Sequence, residues 1–186
     1  MSDPRWRRGR LLVAAPHLDD DPNFRRAVVL VLEHADEGAL GIVLNKPMGV
    51  PADEALPEPL SAVVSDGSPI HRGGPVQPGT VIVLADFDDT AAAGGITFDT
   101  VGILDPDAVQ QVGAHGIRRA RAFGGYSGWG GGQLEDEIGS DAWIDVAPQV
   151  EDVFTEDPDG LWRAVLERAG GSYRLMATAP EDPLRN

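Results

Sequence analysis

Ala27-Val28-Val29-Leu30-Val31-Leu32, followed after a polar break by Ala39-Leu40-Gly41-Ile42-Val43-Leu44, decides the fold. Each run is too short for a helix, apolar on both faces and, in the first case, rich in β-branched residues. Each therefore reads as a buried strand. Glu33 to Gly38 is turn-like, so the pair is expected to form an antiparallel hairpin with a somewhat long loop, ended by Asn45-Lys46-Pro47. Upstream, Gly9 to Ala15 reads as a first strand stopped by Pro16, and His17 to Asn23 as a polar loop.

Downstream, Pro51, Pro57 and Pro59 leave room for one short helix around Ala52 to Leu56. A short strand ends at His71-Arg72-Gly73-Gly74-Pro75-Val76, and Thr80 to Leu84 forms another. Asp86 to Gly95 reads as an exposed acidic loop, and Ile96 to Leu104 as one or two short strands. Asp105-Pro106 and Asp157-Pro158 are helix starts, with Asp as N-cap and Pro at the first helical position. The second helix carries Leu161, Trp162, Val165, Leu166 and Ala169 on one face. Arg118 to Phe123 and Ala142 to Val146 are strands. Between them a glycine-rich turn, Gly124 to Gly130, leads into a short acidic helix over Gln133 to Ile138. Strands outnumber helices and do not alternate with them. The pattern predicts an α+β fold, a single domain over 9–186 behind a flexible tail at 1–8.

A chain of 186 residues with 42% apolar composition can bury a core without a metal or disulfide staple. It contains no cysteine, which excludes disulfides, thiolate metal sites and cysteine nucleophiles. No stretch reaches the length of a membrane span and no signal peptide is visible, so a cytoplasmic protein is expected. The formal net charge of -15 repels phosphate backbones and anionic lipid. Only Arg5-Arg7-Arg8-Arg10 and Arg118-Arg119-Arg121 are basic clusters, and both read as solvated charge. Neither direct nucleic-acid binding nor a membrane contact is expected.

No complete catalytic set emerges. His17 with Asp19 and Asp20 has the spacing of a metal-assisted hydrolase loop, but Leu18 separates them where the zinc deacetylases carry proline. His34, His71 and His115 are isolated and supply no partner. Ser127 sits in Gly-Tyr-Ser-Gly-Trp, yet Trp129 occupies the position where a nucleophile elbow needs glycine. Three carboxylates in the helix after the glycine run already complement its dipole and oppose phosphate.

Several segments taken together resemble the AlgH family, also called YqgE-like. They are Asp21-Pro22-Asn23-Phe24-Arg25-Arg26, Glu33-His34, Gly38 to Pro47, Gly73-Gly74-Pro75-Val76, Gly125 to Trp129 with Gly132 to Ile138, Trp143, and Asp159 to Arg163. The resemblance runs from about Gly9 to the C-terminus. It implies a coiled, branching and mostly antiparallel β-sheet with short flanking helices. It also implies a regulatory role, without an established catalytic or DNA-binding residue set. The expected function is a non-enzymatic regulatory domain binding a small molecule or protein partner, with no cofactor and no metal. A metal-dependent hydrolase and a DNA-binding regulator are the alternatives. Because functional groups concentrate at strand ends and turns, Arg25, His34, Asn45, Gly73, Gly74, Tyr126 and Trp129 are the candidate surface.

Overall fold

The computed structural model describes residues 6–64 and 67–180. Among the described residues ten strands form one sheet. They are β1 (Leu11–Ala14), β2 (Val28–Ala35), β3 (Gly38–Val43), β4 (Pro47–Pro51), β5 (Pro69–Arg72), β6 (Val76–Phe87), β7 (Ala93–Phe98), β8 (Val101–Leu104), β9 (Ile117–Gly130) and β10 (Trp143–Val146). Seven helices flank it: α1 (Ala52–Ala55), α2 (Leu60–Val63), α3 (Pro106–Val112), α4 (Gln133–Gly139), α5 (Val150–Val153), α6 (Pro158–Ala169) and α7 (Tyr173–Met176). The main path runs β10-β1-β2-β3-β9-β6-β8-β7, with β4 and β5 off it. Every pairing is antiparallel except β5 on β9. The α+β expectation holds, in a single domain.

The two apolar runs pair as β2 and β3 from Val29↔Val43 to Ala35↔Gly38. That register leaves a turn of only two residues, Asp36-Glu37, much shorter than the expected loop, and a bulge between Val31 and Glu33 absorbs the difference. Both faces of the sheet are covered, which explains the continuous hydrophobicity. Leu11, Val13, Val28, Leu30, Leu32 and Ile144 pack on Leu161, Trp162, Val165 and Leu166 of α6. The opposite face, with Leu12, Ala14, Val29, Val31 and Val43, meets Trp129, Trp143 and Leu134. Trp162 donates its indole N–H to the Ala14 carbonyl at 2.9 Å, satisfying the one polar atom it buries.

β9 is the branch point. Its first part pairs with β6, its middle with β5 at His71↔Phe123 and Arg72↔Gly124, and its end with β3 at Gly38↔Gly130 to Gly41↔Ser127. The expected glycine-rich turn is therefore a strand: Gly124 to Gly130 continues β9 without a break. Its glycines answer a close approach of neighbouring backbones. Gly125 has φ +71°, and a Cβ there would stand 2.7 Å from the Gly74 carbonyl oxygen. A Cβ on Gly73 or Gly74 would run into the backbone of Gly125 or Tyr126.

One further expectation is corrected. Asp86 lies buried at the end of β6 rather than in an exposed loop, because it collects Thr100, Arg118 and Arg119. Residues 1–5 of the expected tail lie outside the described residues; of the others, Trp6 and Arg7 are partly buried and Arg8 is exposed. Trp6 stands edge-on to His34, Arg7 pairs with Asp145 at 2.8 Å, and Arg8 donates to the Ile96 carbonyl.

Candidate functional site

The end of the β2–β3 hairpin builds the first cleft. Asn45 is buried, and its amide is used in both directions. Oδ1 accepts from the Val28 N–H at 2.9 Å, and Nδ2 donates to the Arg26 carbonyl at 2.8 Å. Lys46, next along, donates from Nζ to the Arg25 carbonyl at 2.7 Å. These three bonds stitch the 21–26 loop to the end of β3 and hold Arg26 at φ +49°. The Arg26 guanidinium lies 4.7 Å over Trp162 of α6 and donates to the Ala179 and Pro180 carbonyls. Arg25, Arg26, Asn45, Lys46 and Asp159 then line a cleft of about 440 Å³.

Electrostatics there is one-sided. Lys46, half-buried, has its pKa lowered first by burial and then by the positive charges of Arg72, Arg25 and Arg26, with Asp159 opposing. A lysine ammonium has three donors, and the Arg25 carbonyl takes one of them.

A second cleft of about 510 Å³ starts where the first ends, since Pro47 follows Lys46 and Pro158 precedes Asp159. It is lined by Pro47, Pro69, His71, Arg119, Arg121 and Phe154 among others. His71, only 2% exposed, has Nδ1 3.1 Å from the Pro69 carbonyl, so Nδ1 carries the proton and Nε2 is left as an acceptor with no partner. Burial first, and the Arg121 charge second, push this imidazole down to about 4. Arg121 itself is buried and reaches only backbone carbonyls, those of Val153 at 3.1 Å and Thr155 at 2.8 Å.

Of the seven expected surface residues, Arg25 and Asn45 meet in the first cleft, and the other five do not line it. His34 is buried, accepting from the Arg7 N–H at Nδ1, with Nε2 3.3 Å from Glu135. Gly73 and Gly74 are buried where β5 crosses to β9: the Gly73 N–H donates to the Gly124 carbonyl, and its own carbonyl accepts from Val43 and Ser127. Tyr126 packs against the main core. Trp129 is a core residue rather than a binding surface. It sits with Phe24 and Trp143, and both tryptophans donate to Glu137 Oε2, at 2.9 and 2.8 Å.

Arg26, Lys46, Asp159, His71 and Arg121 were missed. The signal for Lys46 was present, as the sole lysine of the chain beside a polar strand end. Nothing local marks His71 and Arg121, which meet only through the parallel β5–β9 pairing.

The alternative readings find little support in the geometry. His17, Asp19 and Asp20 do not gather a ligand set: among the described residues no three His, Asp or Glu side chains are grouped to hold a metal. Most of the described basic clusters are committed. Arg7 and Arg10 pair with Asp145, Arg118 with Asp86 and Asp88, and Arg119 with Asp86 and Glu151. No helix among the described residues is long and apolar enough to cross a membrane.

A branched antiparallel sheet whose hairpin end carries Asn45-Lys46-Pro47 and whose central strand carries Gly125 to Trp129 defines a recognisable class. The family model described as AlgH-like matches residues 11–174, and the chain belongs to that family. It is 39% identical to a UPF0301 protein of Streptomyces avermitilis and 41% identical to one of Thermobifida fusca, in each case over 96% of this chain and 94% of the relative. Among solved structures it resembles the crystal structure of protein DIP2367 from Corynebacterium diphtheriae, with TM-score 0.81 and 23% identity over 96% of this chain and 95% of that one. It also resembles the solution structure of the AlgH protein from Pseudomonas aeruginosa, with TM-score 0.69 and 27% identity over 97% of both chains.

Proposed function

We propose that this chain is a non-enzymatic regulatory domain that binds a small anionic ligand in the cleft of Arg25, Arg26, Asn45 and Lys46. The observation that supports it is charge convergence against the global field. Three cations and a single carboxylate, Asp159, line the cleft on a chain of net charge -15. An anion approaching this protein meets repulsion everywhere except where local cations outweigh it. The lining set offers cations and an amide rather than a hydroxyl, thiol or imidazole, so binding rather than turnover is the natural reading. The same reading disfavours DNA as the ligand, because outside the clefts Arg7, Arg10, Arg118 and Arg168 already hold carboxylates. A cytoplasmic location belongs to the same proposal, and a chain without cysteine is compatible with it.

Calorimetric titration with inorganic pyrophosphate at low salt is the test. Binding is expected to weaken with added salt, and Lys46→Gln, which keeps a donor for the Arg25 carbonyl, to weaken it at least about tenfold. Equal affinity in wild type and variant would overturn the assignment.

A further inference from the structure

The second cleft holds two features that the first does not explain. One is a histidine buried to 2% exposure whose Nε2 has no hydrogen-bond partner. The other is a buried arginine, Arg121, whose hydrogen bonds go only to the Val153 and Thr155 carbonyls, so that its charge is met by no carboxylate within ion-pair distance. Its neighbours on β9 differ, since Arg118 and Arg119 both bridge to carboxylates. A buried cation without an ion pair is costly, and a site that keeps one is arranged for a counter-charge brought from outside.

The walls narrow the class of ligand. Pro47, Pro69, Ala120, Phe154 and Pro158 are apolar, and the charged groups facing the cleft are Arg119, Arg121 and Glu156. Arg119 is already held by Asp86 and Glu151, and the charge of exposed Glu156 offsets only part of the burial and Arg119 repulsion that lower the Arg121 pKa. Arg121 is therefore the cation left to receive an acid group, inside a cleft of about 510 Å³ whose apolar walls are interrupted by Ser68, His71, Thr155 and Glu156.

We propose that the cleft between β5, β9 and residues 154–158 is a second binding site, for a small organic acid with an apolar body, and that binding is linked to uptake of one proton by His71. The acid group settles on Arg121 and the apolar body lies against Phe154 and the prolines. Neutralising Arg121 removes a repulsion that opposes charge on the imidazole, and the ligand's own negative charge favours it. His71 is then charged in the complex at a pH where it is neutral in the free protein. The idea stands apart from the pyrophosphate reading of the first cleft, although the two clefts adjoin at Lys46-Pro47 and Pro158-Asp159.

The test follows the His71 imidazole by NMR through a pH titration, in the free protein and with saturating benzoate, with benzamide as the neutral isostere. Benzoate is expected to raise the His71 pKa by about 1 or more and to shift Phe154, while benzamide leaves the titration unchanged. Affinity for the benzoate anion should weaken about tenfold per pH unit between the free and the complexed His71 pKa and level off above the latter, as expected for one linked proton. Arg121→Gln, which retains a donor for the Thr155 carbonyl, should lose the benzoate response, and Lys46→Gln should keep it. The proposal is overturned if benzoate leaves the His71 titration in place, or if benzamide shifts it equally. Loss of the benzoate response in Lys46→Gln would also overturn it, by showing one site in place of two, while leaving the first-cleft reading intact.

Discussion

His71 should make stability depend on pH in a way that a single substitution removes. The folded protein holds this imidazole at about 4, against about 6.5 in an unfolded chain, because it is buried and faces Arg121. The unfolded chain therefore takes up the proton first as the pH drops. Stability conferred by keeping His71 neutral is fully present above about 6.5, declines between there and about 4, and is gone below. The interval is worth about 3 kcal/mol, at about 1.4 kcal/mol per pH unit. His71→Asn places an amide N–H where Nδ1 now donates to the Pro69 carbonyl, but cannot be charged. It also leaves part of the ring's volume empty, at a cost of about 1–2 kcal/mol at neutral pH. Urea unfolding of both proteins between pH 4 and 7.5 is the assay. The wild type should be the more stable at pH 7, and the order should close or reverse by pH 4. Because all other titrations are common to both, the difference between the curves isolates His71. Parallel curves across the interval would refute the reasoning.

Three other consequences follow from the packing. Gly74→Ala should cost about 3 kcal/mol in thermal unfolding, because its Cβ runs into the Tyr126 backbone and neither strand can yield without breaking the β9 branch. Glu137→Ala should cost about 2 kcal/mol and change the near-ultraviolet dichroism, since it leaves the N–H groups of Trp129 and Trp143 without their shared acceptor. Burial pushes the Asp86 carboxyl up, but the Thr100 and Arg118 hydrogen bonds and the charges of Arg118 and Arg119 hold it below the usual carboxylate range. Its stabilisation is therefore present above the ordinary carboxylate pKa and lost as pH falls through the lowered one. Asp86→Asn should abolish that acid-sensitive component in the same urea assay.

Much of the architecture was legible because it is written in local pattern. The β2 and β3 runs show a continuous apolar signal because the sheet is covered on both faces. The Asp105-Pro106 and Asp157-Pro158 starts appear where α3 and α6 begin, with Asp105 and Asp157 accepting from backbone N–H groups. Gly124 to Gly130 misled because glycine favours turns when neighbours are ignored. Here it answers the crossing of Gly73-Gly74, a contact more than fifty residues away in sequence. Trp129 reads as a surface aromatic until β9 is seen to pair with β3, which turns it onto Phe24 and Trp143.

The candidate site divides along the same line. Arg25 and Asn45 were visible because they flank the two apolar runs of one hairpin, which brings them together across 17 to 21 residues. Asp159 joins them only through α6, and Arg121 joins His71 only through the β5–β9 pairing. Such meetings depend on topology, and no local spacing announces them.

The end of the β2–β3 hairpin is proposed to be an anion site. Amide NMR of the wild-type chain titrated with pyrophosphate tests it most directly. Saturable shifts confined to Arg25, Arg26, Asn45, Lys46 and the first turn of α6 around Asp159 are expected. Shifts that fail to saturate, or that centre on Arg7, Arg8 and Arg10 instead, would contradict it.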